Sequence, residues 1–160
     1  MKIYVAGEVP RERPPTGPLK SLLGLSEEPS PSALMKIYRQ IEDAATAFTV
    51  RRIELKMPYP DPKVDGLGPK EFVEYLRDKI GQSDGVLTVF CPPGIAVGFE
   101  AHLASELRKP QTILVPRSLR VPRYLSVLPY VVKVDMLEEV RMSGVLRELT
   151  QAVLEMEDGR

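Results

Sequence analysis

Apolar positions in this chain recur with two periods, and the switching between them predicts the fold. Short runs of apolar and β-branched residues fall at Lys2–Ala6, Val50–Leu55, Gly85–Cys91, Thr112–Val115 and Tyr130–Val134. Each has the length of a strand, and Gly85–Cys91 has the look of a strand covered on both faces. Between these runs the spacing turns helical. Ser32 caps a helix reaching about Phe48, with Leu34, Ile37, Ile41, Ala44, Ala45 and Phe48 on one stripe. Pro69 suits the first turn of a helix through Gln82, with Phe72, Val73, Leu76 and Ile80 facing inward. From about Val97, the residues Val97, Glu100, Ala101, Ala104 and Leu107 mark a helix packed on a sheet, and Met136–Met156 reads as a final amphipathic helix. Strands alternating with helices imply right-handed crossovers. The expected fold is α/β: a doubly wound, parallel, five-stranded sheet in the flavodoxin-like order 2-1-3-4-5.

Proline and glycine mark where that alternation is interrupted. Glu8–Ser32 carries Pro10, Pro14, Pro15, Pro18, Pro29 and Pro31, a density that no helix sustains. This insertion follows the first strand, on the side where such sheets hold ligands, and reads equally as a lid or as a surface loop. Met57–Gly68, with three prolines and two glycines, is a second loop beside the presumed site, and Arg117–Leu128 is a basic loop. A length of 160 residues is expected to make one domain spanning 1–160, with the Pro-rich insertion at 8–32.

Charge and cysteine content narrow the chemistry. Basic and acidic residues number 22 each, so no net field draws the chain to nucleic acid or to an anionic membrane. The single cysteine excludes an internal disulfide and argues against a thiolate zinc site. No Walker loop, dinucleotide fingerprint or metal-ligand cluster is present, so neither a cofactor nor a metal is expected. No apolar run approaches the roughly 20 residues of a membrane span. A cytoplasmic protein is the expectation.

The candidate chemistry lies after the third strand. Pro92, Pro93 and Gly94 end that strand, and Glu100 follows in what reads as a first helical turn. Open α/β sheets bind ligands beyond the carboxyl ends of their strands. Unpaired N–H groups and the helix dipole favour an ionised carboxylate there. In the order 2-1-3-4-5 the switch point lies between strands one and three, which brings the Tyr4–Glu8 segment opposite Pro93–Glu100.

At these residues the chain resembles a known family. YVAG at Tyr4–Gly7, SD at Ser83–Asp84, PGIAVGFE at Pro93–Glu100 and KP at Lys109–Pro110 are similar to the nucleoside 2-deoxyribosyltransferase superfamily. The likeness is greatest to its deoxynucleoside monophosphate N-glycosidase branch. It covers most of the chain in outline, and its specific part is Asp84–Pro110. The resemblance implies cleavage or exchange of the N-glycosidic bond of a nucleoside or nucleoside monophosphate. Glu100 matches the nucleophile that attacks the anomeric carbon, and Tyr4 matches the residue that positions it. The glycosyl ester is then resolved by water or by another base. An ionised carboxylate suits an oxocarbenium-like transition state. Gly98 lets the backbone approach the sugar, and Gly7, Pro93 and Gly94 complete the expected substrate-binding turns. In the segment Arg123–Ser126, Ser126 matches a group that reaches the neighbouring subunit's phosphate site, which implies a homodimer or larger homo-oligomer.

Three departures from the family pattern bear on the chemistry. Leu76 stands where most members carry an aspartate that handles the proton of the departing base. Glu74 and Asp78 are nearby, but a helix turns them to other faces. Gly94 stands where the branches carry aspartate or serine and offers only its backbone. Glu8 replaces a serine of the phosphate loop; it repels phosphate unless Arg11 or Arg13 compensates, or it is itself the replacement acid. These losses motivate an alternative, a nucleotide or nucleotide-sugar binding module without chemistry, and also a structural protein with a vestigial pocket. Asp84 reads as a cap at the strand start, and His102 and Cys91 as structural residues.

Overall fold

The computed structural model describes residues 1–7, 31–49, 51–58, 61–64, 66–90, 95–117 and 123–159. Five strands form one sheet: β1 (Lys2–Ala6), β2 (Glu54–Lys56), β3 (Gly85–Val89), β4 (Gln111–Val115) and β5 (Val131–Met136). Their order is β2-β1-β3-β4-β5, with every neighbouring pair parallel. This is the flavodoxin-like order that the alternation predicts. The helices are α1 (Pro31–Thr46), α2 (Pro69–Gly81), α3 (Ile95–Glu106), the short α4 (Arg123–Ser126) and α5 (Met142–Asp158). No described helix is long and apolar enough to cross a membrane.

Strand alternation sorts the side chains into two layers. Ile3, Val5, Leu87, Val89 and Leu114 face α1 and α5 and pack on Leu34, Ile41, Leu146 and Leu149. Ala6 and Val86 face the other way, against Leu76 and Ile80 of α2 and Leu103 and Ala104 of α3. Further along that second face, Ile113 and Val115 meet Val97 and Ala101 of α3 and Leu125 of α4. Every residue of β3 and β4 is buried, as befits central strands covered on both sides. At the amino ends, Asp84 accepts the Lys2 backbone N–H at 2.7 Å, joining the starts of β1 and β3. Lys109 Nζ donates to the carbonyls of Gly81 and Ser83 at 2.8 and 2.5 Å, tying the end of α3 to the end of α2.

Several boundaries differ from the periodicity reading. The expected strand Val50–Leu55 pairs only over Glu54–Lys56, because this edge strand finds partners at Lys2, Ile3 and Tyr4 of β1 alone. On α1 the inward stripe is Leu34, Tyr38, Ile41 and Ala45, and Tyr38 is fully buried whereas Phe48 lies beyond the helix and half-buried. The segment expected as a basic loop folds at Arg123–Ser126 into a short helix anchored by buried Leu125. The final helix starts at Met142 instead of Met136, since β5 runs on through Met136 opposite Val115. Helix α3 begins at Ile95, so Glu100 lies in its second turn, not its first. Most of the insertion at 8–32 lies outside the described residues, which resume at Pro31 with α1.

Tyr38 carries a prediction because a helical stripe of aliphatic residues does not single it out. Its ring is fully buried, and its hydroxyl occupies the space where a side chain on Gly7 would stand. Tyr38→Ala should lower the unfolding free energy by about 3–5 kcal/mol, the range for truncating a buried aromatic. Phe48→Ala should cost less than half of that, as read by urea denaturation of the two variants side by side.

Candidate active site

A cavity of about 410 Å³ opens between β1, the segment after β2, and helices α2 and α3. It lies beside β1, between Glu42 of α1 and Glu100 of α3, helices that cover opposite faces of the sheet, which is the switch point between β1 and β3. Leu55, Met57, Phe72 and Leu76 supply apolar wall; Tyr4, Tyr75 and the charged residues Glu42, Lys56, Asp61, Lys79 and Glu100 supply polar groups.

Tyr4 reaches the cavity because Ile3 and Val5 take the opposite face of β1. Its hydroxyl donates to Glu100 Oε1 at 3.3 Å. Glu100 is only 8% exposed and shares the inward side of α3 with buried Val97, Ala101 and Ala104. Side chains on a helix lean back toward its amino end, so the carboxylate lies over the preceding turn. Burial pushes the Tyr4 phenol far above its ordinary pKa, and the charge and hydrogen bond of Glu100 add to the rise. Tyr4 therefore keeps its proton at neutral pH and remains a donor to the carboxylate.

A second tyrosine–carboxylate pair lines the same cavity. Tyr75 of α2 donates to Asp61 Oδ2 at 2.6 Å, and the Lys63 backbone N–H donates to Asp61 Oδ1 at 3.0 Å. These bonds, led by that from Tyr75, hold Asp61 below the usual carboxylate range. Partial burial, with the hydrogen bond and charge of Asp61, pushes Tyr75 up to about 12. Lys79 Nζ stands 5.2 Å from the centre of the Tyr75 ring, a cation–π distance. Tyr75 also contributes to the shift of Tyr4, which marks the two pairs as neighbours.

Of the expected site residues, the structure brings Tyr4, Glu100 and Gly7 to this cavity. Gly98 lies on α3 with the Tyr124 hydroxyl of α4 where its side chain would stand, and Ser126 closes α4. Glu8, Arg11, Arg13, Cys91, Pro93 and Gly94 lie outside the described residues. Leu76 is buried and lines the cavity, so methyl groups stand where the family resemblance expects a carboxylate. Glu74 and Asp78 are exposed, beside Lys70 and Gln82 respectively. His102 is exposed on α3 and lies 3.5 Å from Glu106. Among the described residues no group of three or more His, Cys, Asp or Glu is placed to hold a metal ion. Asp61 and Tyr75 are what sequence reasoning missed. The only signals were the Pro-flanked loop beside the site and an aromatic residue next to Leu76.

A parallel sheet in the order 2-1-3-4-5, flanked by helices, defines a flavodoxin-like α/β fold. Within that class, the chain is similar in structure to the CMP N-glycosidase BcmB of Clostridium botulinum, with a TM-score of 0.53 over 92% of this chain and 98% of that one. Sequence identity is 12%, so the likeness is one of fold. No family model matches the sequence, and no curated protein sequence does.

The Tyr75–Asp61 pair makes a pH dependence. Tyr75 is raised in the folded state, so its share of stability is complete below the ordinary tyrosine value of about 10. That share is lost as pH rises through about 12. Asp61 is lowered, so its share is present above the ordinary aspartate value of about 3.9 and is lost as pH falls through its depressed value. Ultraviolet titration at 295 nm should show a late-ionising phenol near 12 that is absent in Tyr75→Phe. An unchanged profile in that variant would show that the pair does not form.

Proposed function

We propose that this chain cleaves or exchanges the N-glycosidic bond of a nucleoside or nucleoside monophosphate, with Glu100 as nucleophile. The observation that carries the reading is a buried carboxylate, hydrogen-bonded to a tyrosine hydroxyl, on the wall of a cavity at the sheet's switch point. Two further findings support it. The same residues match the motif of the deoxyribosyltransferase superfamily, and the structural neighbour over 92% of the chain is a CMP N-glycosidase.

In this reading a Glu100 oxygen attacks the anomeric carbon while the base leaves with the electron pair of the glycosidic bond. Positive charge that gathers on the sugar is stabilised by the carboxylate. Tyr4 donates to Oε1 and so fixes the plane of the attacking group. Water, or the nitrogen of a second base, then attacks the glycosyl ester, loses its proton and restores the carboxylate. None of these steps calls for a cofactor. With leucine at position 76, the proton that the departing base acquires comes from solvent or from another side chain. The α4 segment, with Arg123 and the half-exposed Tyr124, is the surface at which a second copy of the chain would complete a phosphate site, so a cytoplasmic homodimer is part of the proposal.

The second reading, a nucleotide-binding module without chemistry, draws on one observation. The wall at Leu76 is apolar where an acid is expected. Release of free base from a panel of nucleosides and monophosphates separates the two. Glu100→Gln should reduce turnover by about 10⁴-fold or more, as removal of a nucleophile does. Tyr4→Phe should reduce it by about 10- to 100-fold, the equivalent of a hydrogen bond to a charged group. Thermal stabilisation of the intact protein by nucleotides with no base released would instead establish the binding module.

A further inference from the structure

Besides Glu100, the carboxylates of Glu42 and Asp61 line the cavity, and the proposed chemistry uses neither. We propose that Asp61 reads the base: its carboxylate accepts a hydrogen bond from an amino group of the heterocycle and so selects amino-bearing bases over their oxo counterparts. The inference rests on the reading of Glu100 as the group that meets the sugar, since that assignment leaves the base to the remaining wall.

The geometry supports the assignment. Asp61 lines the cavity together with Met57, Pro58, Phe72 and Leu76, the apolar and aromatic surface that suits a flat ring. Both carboxylate oxygens are anchored, one by the Tyr75 hydroxyl at 2.6 Å and one by the Lys63 N–H at 3.0 Å. A carboxylate has about four acceptor sites, so two bonds fix its orientation and leave capacity for a ligand donor. The bond from Tyr75 spends that hydroxyl's proton on Asp61 and leaves the pair an acceptor surface. The depressed pKa of Asp61 keeps it ionised at neutral pH, which fits it to accept a hydrogen bond and unfits it to protonate the leaving group. An amino group on the heterocycle supplies the donor that this surface lacks. An oxo group at the same place sets acceptor against acceptor and forms no hydrogen bond with the carboxylate. A phosphate would be repelled, so this part of the wall faces the base end of the ligand and not the phosphate. Glu42 also lines the cavity, and Lys79, beside the Tyr75 ring, is a competing reader of opposite sign. Were its ammonium to meet the base, the preference would run the other way.

Two pairs that differ at one position test this: cytidine monophosphate against uridine monophosphate, and adenosine against inosine. Affinity is measured by calorimetry on Glu100→Gln, and kcat/KM by base release from the wild type. The amino member of a pair should be favoured by about 10-fold or more. Asp61→Asn, whose carboxamide can turn its NH₂ toward an oxo group, should bring the ratio to about one or invert it. If Asp61→Asn fails to fold by circular dichroism, Tyr75→Phe carries the test. Loss of the hydroxyl frees the Asp61 side chain and should lower the ratio at least about threefold, roughly one neutral hydrogen bond's worth of orientation. Equal use of both members, preference for the oxo member, or a ratio that survives both substitutions overturns the role of Asp61. Amino preference in binding without base release overturns the glycosidase reading and leaves Asp61 as the reader. Base release without amino preference does the reverse. Failure of every compound to bind overturns both.

Discussion

A carboxylate buried beside a central parallel strand must be offered a hydrogen-bond donor, and that demand organises the rest of this molecule. Glu100 is nearly out of water, where an unpartnered charge would cost several kcal/mol. The hydroxyl of Tyr4 meets the demand from β1, which requires β1 to lie beside the strand that feeds α3. It also requires a strict alternation, with Ile3 and Val5 on one face and Tyr4 on the other. A one-residue slip would send the phenol into the layer of α1 and α5 and an aliphatic side chain against the carboxylate. The bond from Lys2 N–H to Asp84 works against such a slip, since it fixes the register of β1 on β3 at the end away from the cavity.

That constraint accounts for what the sequence made readable. Strands β3 and β4 are apolar nearly throughout because both faces are covered, and a central pair identified this way leaves few topologies. The placement of Tyr4 near Glu100 follows from strand order together with the alternation of β1. Other features depend on partners far away in sequence. The sequence suggests a strand over Val50–Leu55, yet β2 pairs with β1 only over Glu54–Lys56. Tyr38 belongs to the core because the glycine at position 7 leaves room for its hydroxyl, a relation between residues 31 positions apart that no helical stripe displays. Asp61 reads as a turn residue between prolines. It becomes part of a site only when α2 presents Tyr75 to it, and the position of α2 is a consequence of the whole sheet.

The two tyrosine–carboxylate pairs are alike in composition and differ in environment, and environment is what separates their chemistry. Tyr4 is raised chiefly by burial, with Glu100 adding to it. Tyr75 is raised less, in a more open place, while its bond and that of Lys63 hold Asp61 low. A carboxylate that meets developing positive charge on a sugar gains from exclusion of water, because each electrostatic contact strengthens as the local dielectric falls. A carboxylate that sorts ligands by their donors gains from being firmly ionised and held at both oxygens. The first condition is met at Glu100 and the second at Asp61.

Leu76 completes this division. An aspartate there would add a fourth acid to a cavity that Glu42, Asp61 and Glu100 already line, and like charges at close range favour uptake of a proton by one of them. With leucine, position 76 adds apolar wall to the cavity, and Glu100 and Asp61 each accept a hydrogen bond from a phenol. If Asp61 reads the base as proposed, leucine at position 76 spares it another acid on the same cavity wall. If the chain cleaves N-glycosidic bonds as proposed, catalysis would rely on stabilising the sugar's charge and on a base that departs without a strong acid at position 76, a demand that would fall on the substrate as much as on the protein.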